Sequence, residues 1–146
     1  MGVTQQRGLE AETAILNRLV QLGYEVLHPW NRSLGYGLAY LVEKEERHFG
    51  FFVFKTIEVV RIQCKLARIS RDGTFLLFNT STAAEWGRKS HHYRGKAEQF
   101  GVYSSDTEKV YLVPVDHVGT TKAVLRLTLP KNKNQWGYKI AKDYEL

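Results

Sequence analysis

A single cysteine, Cys64, excludes an intrachain disulfide and any metal cluster built from cysteines. With no disulfide to maintain, the cytoplasm is the expected compartment. There are three prolines, Pro29, Pro114 and Pro130, each near the end of an apolar run, so no proline-rich linker divides the chain. No apolar run approaches the roughly 20 residues needed to cross a bilayer, and no membrane partner is expected. Residues 1–7 are polar and carry no signal-peptide pattern. Internal repeats and low-complexity tracts are absent. Acidic residues are the minority, 15 against 21 Lys and Arg, giving a formal charge of +6 and a pI near 9.5. That surplus favours an anionic partner, nucleic acid first, although a merely solubilising surface accounts for it equally well. The content that remains, 43% hydrophobic and 25% charged over 146 residues, is that of one folded domain with a real core.

Leu9, Ala11, Ile15, Leu16, Leu19, Val20 and Leu22 follow a helical period and predict a helix over 4–22, with Gly23 as its stop. Strands are expected at 24–27 and 37–43, followed by a turn over the polar run 44–47. Residues 48–66 are rich in Phe, Val and Ile and long for one strand, which predicts a break near Lys55. Arg71-Asp72-Gly73 is a turn signal that folds 74–79 back as a hairpin. The stretch 80–99 is polar and basic without a period, suiting a long loop with a short helix. Further strands fall at 100–103, 110–115 and 124–129, and a short helix or coil ends the chain. One helix followed by many strands indicates an α+β domain with a mixed, largely antiparallel sheet.

Two groups carry possible chemistry. At about 100° per residue, Glu12 lies near the centre of the apolar arc of Ala11, Ile15, Leu16, Leu19 and Leu22, with Glu10 opposite. A carboxylate inside a core-facing stripe is costly unless it is paired or binds a metal. A structural ion pair and a functional carboxylate both satisfy that condition. In residues 58–68 (EVVRIQCKLAR), Val60, Ile62, Cys64 and Leu66 share one strand face and Arg61, Gln63, Lys65 and Ala67 the other. Gln63 and Lys65 are then neighbours roughly 7 Å apart. A plain amphipathic strand gives the same pattern.

In order, Gly8-Leu9-Glu10-Ala11-Glu12, Tyr36-Gly37-Leu38, Gln63-Cys64-Lys65, Phe100-Gly101-Val102-Tyr103, 110–115 (VYLVPV) and Leu125-Arg126-Leu127 span nearly the whole chain. This succession resembles the PD-(D/E)XK nucleases, and among them the homing endonucleases encoded in cyanobacterial group I introns. The resemblance implies a restriction-endonuclease-like fold and sequence-specific hydrolysis of double-stranded DNA with Mg²⁺ or Mn²⁺. It makes Glu12 and Gln63 metal ligands, with Gln63 standing where many relatives have an acid, and Lys65 the motif lysine that orients the nucleophile or offsets phosphate charge. The cation would lower the pKa of a bound water and stabilise the in-line transition state. The departure is Gly37, which occupies the place of the pattern's principal metal-binding aspartate. Glutamine is neutral, so Glu12 alone would supply charge, and one carboxylate is expected to hold Mg²⁺ poorly. Glu43 and Glu45 lie too far along the strand to substitute, and Asp72 and Asp106 sit in turns. Impaired cleavage is therefore expected.

DNA contacts are expected from the acid-free segment 87–96, through Arg88, Lys89, His91, His92, Tyr93, Arg94 and Lys96. A solvated basic loop is the plain alternative. Adjacent His91 and His92 point apart along an extended chain, which argues against a shared metal. Arg68 and Arg71 flank the 71–73 turn, whose hairpin could enter the major groove with Thr80, Ser81 and Thr82 near its end. Lys131 and Lys133 form a second basic patch. Tyr24, Phe51, Phe52, Phe54, Phe75, Phe78, Phe100 and Tyr111 are expected in the core, and Trp30, Trp86 and Trp136 in packing or interface roles. The resemblance also implies a homodimer or homotetramer, with 48–54 and 110–115 as candidate interface segments. Competing readings are a restriction enzyme or junction resolvase on the same fold, and a DNA-binding module without catalysis. An RNA-binding β domain is disfavoured by the lack of a stacked aromatic motif.

Overall fold

A computed structural model describes residues 2–82, 91–129 and 137–146. Helix α1 (Val3–Gln21) buries Ala11, Ile15 and Leu19, spaced four apart on one face. It ends as expected at Gly23, whose φ of 82° allows Gly23 N–H to reach Val20 O and Tyr24 N–H to reach Leu19 O, each at 3.0 Å. These two bonds form a Schellman motif, which glycine's positive φ permits without strain. Leu22, read as part of the apolar stripe, lies past the last turn and is exposed.

The short strand β1 (Val26–Leu27) pairs with β2 (Leu38–His48), which forms a long hairpin with β3 (Phe52–Ile69). Two expectations fail here. Residues 44–47 are strand, and the chain reverses at 49–51, where Phe49 and Gly50 take positive φ of 56° and 77°. The break near Lys55 is absent too, since β3 runs unbroken. The charged run looked like a turn, but its charges are answered across the strands. Lys44 pairs with Glu58, and Lys55 lies 3.6 Å from Glu45. Cross-strand pairs of this kind support a strand where polarity alone suggests a loop.

Beyond the hairpin come β4 (Phe75–Asn79), β5 (Gln99–Ser104), β6 (Lys109–Pro114), β7 (Lys122–Arg126) and β8 (Lys139–Ile140). The pairings β3–β5 and β7–β8 are parallel and the rest antiparallel, so the sheet is mixed and largely antiparallel. The middle strands bury both faces. One face packs Leu38, Tyr40, Ile62 and Val110 under α1. The other packs Phe100, Val102, Tyr111 and Val113 against Leu76, Phe78 and Leu125 of β4 and β7. The segment 110–115, expected at an interface, is instead mainly core: β6 is an edge strand paired with β5, but layers cover both its faces, and buried Val110, Tyr111, Val113 and Val115 leave a partner little side-chain surface. Phe51, Phe52 and Phe54, expected in the core, are exposed on the projecting end of the β2–β3 hairpin. Tyr24 and Phe75 are half-buried.

Close approach of α1 to the sheet requires Gly101. A Cβ there would lie 2.8 Å from Ile62 Cγ2 and 3.0 Å from Ile15 Cγ2. Overpacking of this kind costs about 1–3 kcal/mol. Gly101→Ala is expected to lose that much stability in urea unfolding, and a loss below about 0.5 kcal/mol would contradict this packing.

Candidate active site

Where α1 crosses the start of β2 and the middle of β3, a cleft of about 500 Å³ opens, lined by Gln5, Gly8, Leu9, Glu12, Gly37, Gln63 and Cys64. Three elements supply its chemistry. The first turns of α1 bring Glu12 to its rim, largely shielded from solvent. Gly37 N–H donates to Ile62 O at 2.9 Å, fixing the backbone just before β2 begins. Gln63 and Cys64 come from β3, Cys64 from the face that packs on α1.

Glu12 and Gly37 are close enough to define one locus. A Cβ at position 37 would stand 3.4 Å from Glu12 Oε2 and 3.6 Å from Cys64 Sγ, ordinary van der Waals contact. Gly37 is not among the glycines of positive φ, so its backbone accepts an L side chain. His28, just past β1, shares a 2.8 Å hydrogen bond between its Nε2 and Glu12 Oε1, which holds the carboxylate in place. Sequence reasoning missed His28, and no spacing signal links positions 12 and 28; only the turn back from α1 into β1 brings them together. Trp30, expected in a packing or interface role, is fully exposed two residues further on.

Cys64 is chemically quiet. Burial, then the Glu12 charge beside it, pushes its thiol up to about 12, so it stays protonated at neutral pH. Lys65 has the opposite character: burial lowers it from 10.5 to about 8. Its ammonium donates to Ser81 O at 3.2 Å and Tyr93 Oη at 3.3 Å, and lies 4.5 Å from the Tyr93 ring centroid. Glu12, Gly37 and Gln63 therefore meet in one cleft, whereas Lys65 is turned from it toward Tyr93 and does not line it. A buried, pKa-shifted lysine beside a cleft is a common mark of a functional site.

The donors present do not fit a hard divalent cation. Among the described residues lining the cleft, the side chains amount to one carboxylate, the two neutral amides of Gln5 and Gln63 and a protonated thiol, where Mg²⁺ favours near-octahedral oxygen donors. Among the described residues no group of three or more His, Cys, Asp or Glu is arranged to hold a metal. Asp72 and Asp106 are occupied in turns: Asp72 accepts from Ser70 and Thr74, and Asp106 from Ile69 N–H.

The expected DNA-contact residues divide. Arg68, Arg71, His91, His92, Arg94 and Lys96 are exposed. Thr80 and Tyr93 are buried, which corrects their assignment to the DNA surface. The Thr80 hydroxyl donates to Gly119 O at 2.5 Å, and Tyr93 stacks edge-on against Phe100. Both side chains are buried, so their polar atoms serve the interior. Ser81 and Thr82 are half-buried, Ser81 bridging to His92 and Thr82 Oγ1 accepting from His91 N–H. Arg88, Lys89, Lys131, Lys133, Trp86 and Trp136 lie outside the described residues. A second cleft, of about 400 Å³, lies between α1, the end of β3, β4 and β7. It carries Arg7, Arg68 and Lys122 and no acid. Arg7 and Lys122 were not legible as a pair, because 115 positions separate them in the chain.

A helix laid on a mixed sheet, with its carboxylate over the start of the second strand and a glutamine-x-lysine strand beneath, is a restriction-endonuclease-like arrangement. The chain belongs to the PD-(D/E)XK endonuclease family, whose model matches residues 3–146. It is therefore a nuclease of that fold, with DNA as the substrate class. Among solved structures it is similar to the bacterial homing endonuclease I-Ssp6803I. The two share 19% identity over 99% of this chain and 88% of that one, with a TM-score of 0.62, a likeness of fold. No curated protein sequence matches it. Among the described residues, no helix is long and apolar enough to cross a membrane.

The lysine's shift has a testable sign. Folded, Lys65 gives up its proton near pH 8, whereas unfolded it keeps it to its ordinary 10.5. Between those values the unfolded state binds more protons, so burying this amine becomes less costly as pH rises. The stability of Lys65→Met relative to the unsubstituted chain should fall steadily from pH 8 to pH 10.5 in thermal melts. A difference that does not change with pH would show that Lys65 is not buried as a cation.

Proposed function

We propose that this chain is a sequence-specific double-strand DNA endonuclease of the homing type whose centre, with glycine at position 37, binds DNA but hydrolyses it slowly. The observation that carries this reading is the space over Gly37. It faces Glu12 Oε2 at 3.4 Å, has room for a side chain, and opens into the cleft that Gln63 lines. Glu12, held by His28, is the carboxylate among the described residues of the cleft, with Gln63 and Gln5 as neutral amides beside it. Lys65 is the cation nearest along β3; drawn out of its contact with Tyr93, it would meet the charge of a scissile phosphate. Arg7, Arg68 and Lys122 suit the flanking phosphates, and the exposed His91, His92, Arg94 and Lys96 suit the groove. A two-fold assembly, dimer or tetramer, would give two strand-cutting centres and twice the contacts.

Gly37→Asp is the direct test. With Mg²⁺ or Mn²⁺ and a plasmid library, the aspartate form should cleave about 10–100-fold faster than the chain as it stands, on the scale by which ligand-shell changes alter metal enzymes. Sequenced ends should fall at a long duplex site. Ends at branched junctions would indicate a resolvase, and a short palindromic site a restriction enzyme. Full activity without the substitution, and no gain with it, would sink the site assignment. Gly37 itself favours a second reading, a DNA-binding module without catalysis. Specific binding with no cleavage by either form would select it.

The basic cleft gives a separate expectation. Arg7→Ala and Lys122→Ala should each reduce the slope of log affinity against log salt by about 1, the loss of one phosphate contact. Titrations from low to moderate salt measure it, and unchanged slopes would remove this cleft from the DNA path.

A further inference from the structure

The outer half of the β2–β3 hairpin, 42–59, is an arm with an exposed aromatic face. Phe49 is 87% exposed and Phe51 76%, with Phe52 and Phe54 each about half exposed. The rings of Phe51, Phe52, Phe54 and His48 form one cluster, with centroids 4.9 Å apart for Phe51–Phe52, 5.5 Å for His48–Phe54 and 6.5 Å for Phe52–Phe54. Beside it lies an apolar hollow of about 600 Å³ walled by His48, Phe49, Phe52, Phe54 and Thr56, with Glu46 as its acidic residue. The register explains this face: His48 opposes Phe52, Glu46 opposes Phe54 and Lys44 opposes Thr56, so alternate positions of both strands point the same way. Among the described residues, no strand pairs with 42–48 of β2 or 52–60 of β3 on their outer edges. Nothing in the monomer's core explains why such residues stand in water.

We propose that this arm is a self-association surface, and that the aromatic face of one copy packs on the same face of a second copy of this chain about a two-fold axis. This deepens the two-fold assembly put forward above and rests on it for its function, but association is read without DNA. Charge selects the occupant. Residues 42–59 hold three basic and four acidic side chains, a net −1 with histidine neutral, while the other residues hold 18 basic and 11 acidic, a net +7. Phosphate is attracted to the body and not to the arm, which disfavours DNA or an anionic membrane on this face. For two bodies of equal positive charge, contact through near-neutral arms is the approach of least repulsion. The arm's charges are largely paired within it, Lys44 with Glu58 and Lys55 with Glu45, so joining two arms strips few unpaired charges. Size also fits. At these exposures, and with roughly 150–250 Å² per buried aromatic, four phenylalanines from each copy remove about 1,000 Å² in total. That is the lower bound of a specific interface before the flanking residues are added. The hollow beside protruding rings offers a socket and a knob on one surface, as a two-fold contact requires.

The test is sedimentation of the full chain over a range of concentrations, compared with the double variant Phe52→Glu/Phe54→Glu and with Leu129→Glu. Leu129 is exposed away from the arm and serves as the control. The unsubstituted chain and Leu129→Glu should associate alike, and the arm variant should associate about 100-fold more weakly while keeping its circular dichroism spectrum. Hydrogen exchange on the unsubstituted chain provides a readout independent of folding defects in the variant: amides of 42–59 should gain protection as concentration rises. A chain that stays monomeric, association untouched by the arm variant, or protection gained elsewhere would overturn the proposal. So would loss, in the arm variant, of binding to anionic vesicles or to DNA by a chain that is monomeric throughout. Cleavage by Gly37→Asp is scored separately, so failure here leaves the nuclease reading in place, and failure there leaves this one.

Discussion

The packing of α1 against β3 and β5 decides whether this molecule has a site at all. Ile15 and Ile62 meet over Gly101, and only the missing Cβ lets the helix come that close. Glu12 sits one turn before Ile15. The depth of that contact therefore sets how far the carboxylate reaches over the start of β2, and any side chain at 101 would lift it away. Gly101 and Gly37 both lack a Cβ next to α1, with opposite consequences. At 101 the absence permits packing, and at 37 it leaves room beside Glu12 that a side chain could fill.

The centre's electrostatics follow from that placement. Burial, with the nearby Glu12 charge adding to it, raises the pKa of the Cys64 thiol, which keeps the sulfur neutral. Lys65, on the opposite face of the same strand, is buried beside Tyr93 and the Ser81 carbonyl, with no carboxylate paired to it among the described residues. A buried amine with no carboxylate partner is costly at neutral pH, and an arriving phosphate would relieve that cost. Substrate binding and the lysine's protonation are coupled in this account.

Much of this was legible from residue order, and the remainder was not, for definite reasons. The helix, its glycine stop, the hairpin at Asp72-Gly73 and the mixed sheet follow from local period and turn chemistry, which a single sequence carries. The β2–β3 arm did not, because Lys44 and Glu45 are matched by Glu58 and Lys55, fourteen and ten positions further on, across the hairpin. Reading Phe52 and Phe54 as core failed for the same cause: period 2 tells which residues share a face, not whether anything covers it. Glu12, Gly37 and Gln63 could be linked through the family pattern, whereas the His28 bond to Glu12 and the Arg7–Arg68–Lys122 cleft depend on tertiary geometry alone. Thr80 and Tyr93 looked like DNA contacts because their neighbours are basic and polar. Both side chains turn inward, and their polar atoms are satisfied there.

The central claim is that position 37 and Glu12 share one ligand locus. Calorimetric titration of Mn²⁺ into Gly37→Asp and into Gly37→Asp/Glu12→Gln tests it without DNA or turnover. The account predicts a site in the first protein that is lost or greatly weakened in the second. Equal binding by both, or none by either, would contradict it.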